Sequence, residues 1–125
     1  MEWRIQIADE GSRLTVTAWG AAEVGGFLAY LQEAVKQPGW YPEIPALMDF
    51  RQLDVSCLSP ADIVQLAELH LPYADTLARS RIAVLVSRPV DYGVVRMWEA
   101  LVHQMNLAHA VFYSLAEAEA WLQTP

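Results

Sequence analysis

Five consecutive apolar residues, Ile82-Ala83-Val84-Leu85-Val86, are followed by a short polar loop, Ser87-Arg88-Pro89, and then by a helical pattern. A strand without polar alternation is covered on both faces, the condition of an inner strand in a largely parallel sheet that feeds a crossover helix. The segment 81–101 therefore marks an α/β domain before the rest of the chain is read.

The flanking residues extend this unit in both directions. Trp3 to Ile7 and Leu14 to Ala18 alternate apolar with polar, and Asp9-Glu10-Gly11-Ser12 between them is turn chemistry, which predicts an antiparallel hairpin. Its polar residues Arg4, Gln6, Thr15 and Thr17, with Trp19 at the same parity, should face away from the core. Val24, Phe27, Leu28, Leu31 and Val35 recur at helical spacing until Pro38-Gly39. Gly25-Gly26 weakens the start of this helix, either as a frayed first turn or as a place where backbone passes close to the sheet or a ligand.

Ile44 to Phe50 reads as the third strand, and the loop after it runs into Ser59-Pro60-Ala61-Asp62, a capping box with proline at the first helical position. The stripe of that helix, Ile63, Leu66, Ala67, His70, Ala74 and Leu77, runs past Pro72, which should kink or interrupt it. A helix from about Asp91 to Met105 is expected to bury Val94, Met97, Trp98, Leu101 and Met105 as core. Ala108 to Tyr113 is the last strand, and Ser114-Leu115-Ala116-Glu117 opens a final helix as a second capping box.

The predicted order is ββαβαβαβα: one mixed five-stranded sheet, an N-terminal antiparallel hairpin followed by parallel β-α units, in a single domain spanning 1–125. Right-handed crossovers between sequential parallel strands place successive helices on one face of the sheet. Unless the strand order reverses, much of the opposite face is then left for water, a second subunit or the kinked helix.

Bulk properties narrow the function classes. Fifteen acidic against eight basic residues give a formal charge of −7 with no Lys/Arg cluster, so phosphate neutralisation cannot drive nucleic-acid binding. The single Cys57 excludes an intramolecular disulfide, and no apolar run approaches a membrane span of about 18 residues. The N-terminus MEWRIQIADE lacks the basic-then-apolar order of a secretory signal, so a soluble cytoplasmic protein is expected. A content of 54% hydrophobic residues with five Trp suggests either a large core or some apolar surface used in association.

Tyr92-Gly93-Val94-Val95-Arg96-Met97-Trp98-Glu99-Ala100 resembles the aromatic-Gly-x-x-Arg-Met-aromatic-Glu segment of a family of small bacterial proteins. That family is related in fold to STAS domains, the anti-sigma-factor-antagonist and sulfate-transporter modules, and is similar in topology to CRAL-TRIO lipid-transfer domains. Met48-Asp49-Phe50-Arg51, Leu58-Ser59-Pro60-Ala61-Asp62 and the closing Ala116 to Leu122 resemble its other segments. The resemblance implies a STAS-like fold and a regulatory or interaction role. STAS regulators carry an Asp-Ser-Ser-Gly motif with a phosphorylated serine after the equivalent strand; here the residues are Asp54-Val55-Ser56-Cys57-Leu58-Ser59, without that motif, and the resemblance implies a phosphorylation site at Ser56 or at Ser59, of which Ser59 already serves as a helix cap.

In open parallel sheets, ligands bind beyond the carboxyl ends of the strands. The loops there supply the candidate partner- or ligand-binding residues Asp49, Arg51, Asp54 and Ser56, then Ser87, Arg88, Asp91 and Tyr92, with Cys57, Tyr113 and Ser114 nearby. Asp49 is read as ending its strand, paired with Arg51 or Arg88, and serving either a ligand or the turn. Cys57 is read as a small buried thiol. His70, His103 and His109 stand 33 and 6 positions apart without metal-ligand spacing, so no metal or cofactor is expected. Arg96 and Glu99 are read as an ion pair on the polar side of their helix.

No phosphate-binding loop, dinucleotide fingerprint or nucleophile elbow is present in the sequence. The leading expectation is a non-enzymatic STAS-like module that binds a protein partner or itself as a homodimer, without nucleic acid or membrane insertion. The alternative is a binding protein for a small apolar or lipid-like ligand, which calls for an enclosed cavity of a few hundred cubic ångströms. An enzyme would have only Asp49, Arg51 and Asp91 for acid–base work.

Overall fold

The structure is a computed structural model and describes residues 1–8 and 11–124. Its element order is β1 (Glu2–Ile7), β2 (Leu14–Ala21), α1 (Val24–Ala34), β3 (Ala46–Asp54), α2 (Pro60–Leu69), α3 (Ala74–Leu77), β4 (Arg81–Leu85), α4 (Pro89–Val102), β5 (Ala108–Phe112) and α5 (Leu115–Leu122). The strands lie in sequential order across one sheet, with β1 antiparallel to β2 and the remaining pairs parallel. Asp9 and Glu10 of the expected hairpin turn lie outside the described residues; the Ala8 N–H closes the hairpin on the Arg13 carbonyl at 2.9 Å.

Alternation along the inner strands separates two apolar layers. Ala46, Met48, Ile82 and Val84 join Phe27, Leu31, Leu66 and Val95 in the main core beneath α1, α2 and α4. Leu47, Ala83 and Leu85 point the other way and meet Ala118 and Leu122 of α5. The crossover helices therefore share one face, and on the other, among the described residues, α5 covers β3 to β5. Arg81 fixes α5 in place: its guanidinium donates to the Trp121 carbonyl at 2.9 Å and lies over the Trp121 ring at 4.7 Å. Thr15, Thr17 and Trp19 of β2 take the side away from the main core, as their parity requires, and Trp19 donates to Glu2 at 3.0 Å.

Several local expectations are met through identifiable contacts. Ser59 accepts from the Asp62 amide at 3.1 Å while Asp62 accepts from the Ser59 amide at 2.9 Å, a complete capping box. At Ser114 one half of the box forms, the Glu117 amide donating to its hydroxyl. Pro72 interrupts the second helix: α2 stops at Leu69, a 3-10 turn Leu71–Tyr73 follows, and α3 is a single short turn. Gly26 approaches neither the sheet nor a ligand but the Met1 side chain, whose sulfur would lie 2.6 Å from a Cβ there, and α1 is regular from Val24.

Three expectations need correction. The third strand runs to Asp54 rather than stopping at Phe50, because β2 continues to Ala21 and stays paired with it through a bulge that shifts the register between Thr17↔Asp49 and Trp19↔Gln52. Asp49 and Arg51 consequently lie inside the strand, not in the loop after it. The fourth helix is rotated relative to its apolar stripe: Asp91, Val95, Glu99 and Val102 are its buried residues, while Met97 and Leu101 are 49% and 43% exposed. Cys57 is exposed, not buried.

Candidate functional site

The carboxyl ends of β3 and β4 are tied together by one arginine. Arg88 caps the start of α4 from an extended backbone conformation, and its guanidinium grips Asp91 with two bonds, Nε to Oδ2 at 2.7 Å and Nη2 to Oδ1 at 2.9 Å. The same Nη2 reaches Asp54 Oδ1 at 2.8 Å. Asp91 is only 1% exposed and also accepts from the Val55 amide at 3.2 Å, so the first turn of α4 is bound to the end of β3 through a buried carboxylate. Paired and hydrogen-bonded in this way, a buried carboxylate is tolerated. The two aspartates hold Arg88 protonated well above the usual arginine range.

Asp54 in turn organises the loop after β3. Its Oδ1 accepts from the Ser56 amide at 2.9 Å and from the Ser56 hydroxyl. The Ser56 hydrogen bond first, and Arg88 second, hold the Asp54 carboxyl below the usual range. Ser87 spans the same gap from the β4 side, its hydroxyl donating to the Arg51 carbonyl at 2.8 Å. Tyr92 is not part of this polar network; its ring stacks on Tyr113 at 4.8 Å, linking α4 to the end of β5.

Of the eight sequence-predicted residues, the structure thus brings together Asp54, Ser56, Ser87, Arg88 and Asp91. Asp49 and Arg51 form a separate pair on the sheet face opposite the main core. Arg51 grips the Asp49 carboxylate through Nε at 2.9 Å and Nη2 at 2.8 Å, which holds that carboxyl low; neither pairs with Arg88. They border a small pocket of about 70 Å³ with Thr17, Ala18 and Gln52.

A second buried polar group was not legible as such in the sequence. Glu99, read as a surface residue, is 8% exposed and meets His109 of β5, with Oε2 and Nδ1 3.0 Å apart. Arg96 lies 3.5 Å from its other oxygen, so the expected ion pair exists on a carboxylate facing inward. Trp98 sits between the rings of His70 and His109, 5.2 Å from each. His70 is 2.7 Å from the Leu66 carbonyl, and burial holds its imidazole below the usual histidine range. The only sequence signal was the position of His109 in the last strand at the parity of Val111, a core residue. Among the described residues no group of three or more His, Cys, Asp or Glu side chains is placed to hold a metal ion.

An apolar cavity of about 80 Å³ lies beneath α1, α2 and α4, lined by Phe27, Tyr30, Phe50, Leu66 and Trp98 among others. This is below the roughly 300–1,000 Å³ of small-molecule pockets. Burial raises the pKa of Tyr30 beside it, so its phenol stays protonated. Among the described residues no helix is long and apolar enough to cross a membrane.

Sheet order and helix placement are those of a STAS-like fold. The crystal structure of an uncharacterized protein from the DUF3478 family with a SpoIIAA-like fold, from Shewanella loihica PV-4, is similar over 97% of this chain and 92% of its own, with a TM-score of 0.61 and 20% sequence identity. The likeness establishes the SpoIIAA-like fold. No family profile and no curated protein matches the sequence.

Proposed function

We propose that the protein is a non-catalytic STAS-like interaction module whose partner surface comprises the loops after β3 and β4 and the adjoining sheet face left open by α5. The observation that carries this reading is the Arg88 hub. It joins two loops from different strands into one exposed surface whose polar groups are already paired, so little ordering remains to oppose binding. The occupant is a protein partner or a second copy of the chain. Ser56, exposed at the rim and bonded to Asp54, is the modification site in this reading. A phosphate on its hydroxyl would repel the Asp54 carboxylate and compete with it for Arg88.

The test is site-specific photo-crosslinking in the native cell, with the photoreactive residue at Arg51 or Ser87 and a control at Gln32 on α1. Adducts with one defined protein, or with a second copy, are expected from Arg51 and Ser87 and not from Gln32, and Ser56→Asp should reduce their yield. Equal yields from all three positions, or none, would overturn the proposal.

A further inference from the structure

Tyr30 carries a hydroxyl that holds nothing in the fold. The residue is 6% exposed on the underside of α1, with Phe27 and Phe50 at ring distances of 5.7 Å and 6.3 Å. Among the described residues the hydroxyl has no hydrogen-bond partner, and burial alone raises its pKa. A buried tyrosine hydroxyl ordinarily finds a partner. His70, 8% exposed at the end of α2, repeats the pattern on one of its nitrogens. A carbonyl can only accept, so the 2.7 Å contact with Leu66 makes Nδ1 the protonated nitrogen. Burial keeps the ring neutral, which leaves Nε2 as a lone pair without a partner among the described residues.

Both residues line the apolar cavity of about 80 Å³ beneath α1, α2 and α4. The polar atoms that are unpartnered and also sealed from any space a water could reach are Glu99 Oε1 and His109 Nε2. Tyr30 Oη and His70 Nε2 are unpartnered without being sealed, so each borders open space, and the cavity supplies it. Ser80, the other hydroxyl on the wall, is spent on the Ile44 carbonyl at 2.6 Å. The rest of the wall is apolar, with Phe27, Leu31, Phe50, Leu66 and Trp98 prominent in it, and no ionised side chain faces the space.

Size and polarity together select the occupant. At roughly 30 Å³ per water molecule in the liquid, the cavity holds the share of two to three waters, too little for a lipid- or drug-sized ligand. An ion would lose its hydration against walls with no opposite charge to meet it. Water needs two to four polar partners, which an apolar wall does not give. A short aliphatic chain matches the wall, and a hydroxyl on it can accept from Tyr30 and donate to His70 Nε2.

We infer that this cavity is a binding site for a neutral short-chain aliphatic alcohol, with its chain on the apolar walls and its hydroxyl at Tyr30 and His70. The site is separate from the loop platform and does not depend on it.

Methyl NMR of the intact chain, titrated with 1-propanol, tests this. Saturable shifts are expected at Leu31, Leu66 and Val84, which line the cavity. Propionate and propylammonium, equally short but charged, and 1-octanol, too long for the space, should leave those methyls unmoved. Tyr30→Phe removes only the idle hydroxyl, so the variant should keep its melting temperature and bind 1-propanol about two- to tenfold more weakly, the effect of one neutral hydrogen bond. His70→Leu is the second variant, and a loss in either one supports the site. No saturable shift at the cavity methyls, equal binding of propionate or 1-octanol, or affinity unchanged in both variants overturns the inference. So does a crystal soaked in 1-propanol that shows only water beside Tyr30.

Discussion

Asp91 sits where burial and charge meet most sharply, with one carboxylate serving a guanidinium and a backbone amide at 1% exposure. Truncation to alanine strands the Val55 N–H and one face of Arg88. Because Arg88 is half exposed and regains water, the loss is expected at about 2–3 kcal/mol, below that of a fully buried pair. Asp91→Asn keeps an acceptor for the amide and should lose less; urea denaturation of both variants measures the difference. His70 makes a second prediction at this scale. Its pKa is lowered in the folded state, so between that value and the unfolded value of about 6.5 the unfolded chain binds more protons. Its contribution is thus present above pH 6.5 and is lost as pH falls toward the folded value. His70→Gln should flatten the decline in melting temperature between pH 7 and pH 5. An unchanged slope would mean that His70 does not titrate differently on folding.

The helices show why some structure was legible in the sequence and some was not. The start of α2 depends on four consecutive residues, Ser59 to Asp62, whose hydrogen bonds are with one another, so local chemistry decided it. Pro72 acts as locally, through its missing donor. The rotation of α4 depends on partners distant in sequence: Val55 for Asp91 and His109 for Glu99. Periodicity alone favoured the stripe through Met97 and Leu101, and the anchored carboxylates turn that stripe outward. The loop cluster was half legible for a related reason. Arg88, Asp91, Asp54 and Ser56 follow from the placement of strand ends, whereas Asp49 and Arg51 fall inside β3 because the strand continues to Asp54 past a bulge that no residue pattern marked. With α4 anchored in this rotation, Val102→Ala should cost about 1–2.5 kcal/mol by removing buried methyls at 0% exposure. Leu101→Ala should stay within about 0.5 kcal/mol. Chemical denaturation that ranked the two in the opposite order would restore the sequence-based rotation.

Across the whole molecule the asymmetry of cover follows from the sequential strand order. The crossover helices share one face, and α5, which follows β5 and is part of no crossover between the described strands, packs on the other. The inner strand β4 is sealed on both sides, with Ala83 and Leu85 at 0% exposure on one face and Ile82 and Val84 at 7% and 5% on the other, so its amides can exchange with solvent only when the domain opens globally. At the sheet edge, β1 has one hydrogen-bonded neighbour, and its residues Glu2, Arg4 and Gln6 are exposed. Its amides should therefore exchange by local fraying. Native-state hydrogen exchange at low denaturant separates the two routes: protection in β4 should decline with the full denaturant sensitivity of global unfolding, while protection in β1 should be lower and nearly insensitive. If β1 were protected as strongly as β4 in the isolated protein, something would be covering that edge, and sedimentation at the same concentration would show whether it is a second copy of the chain.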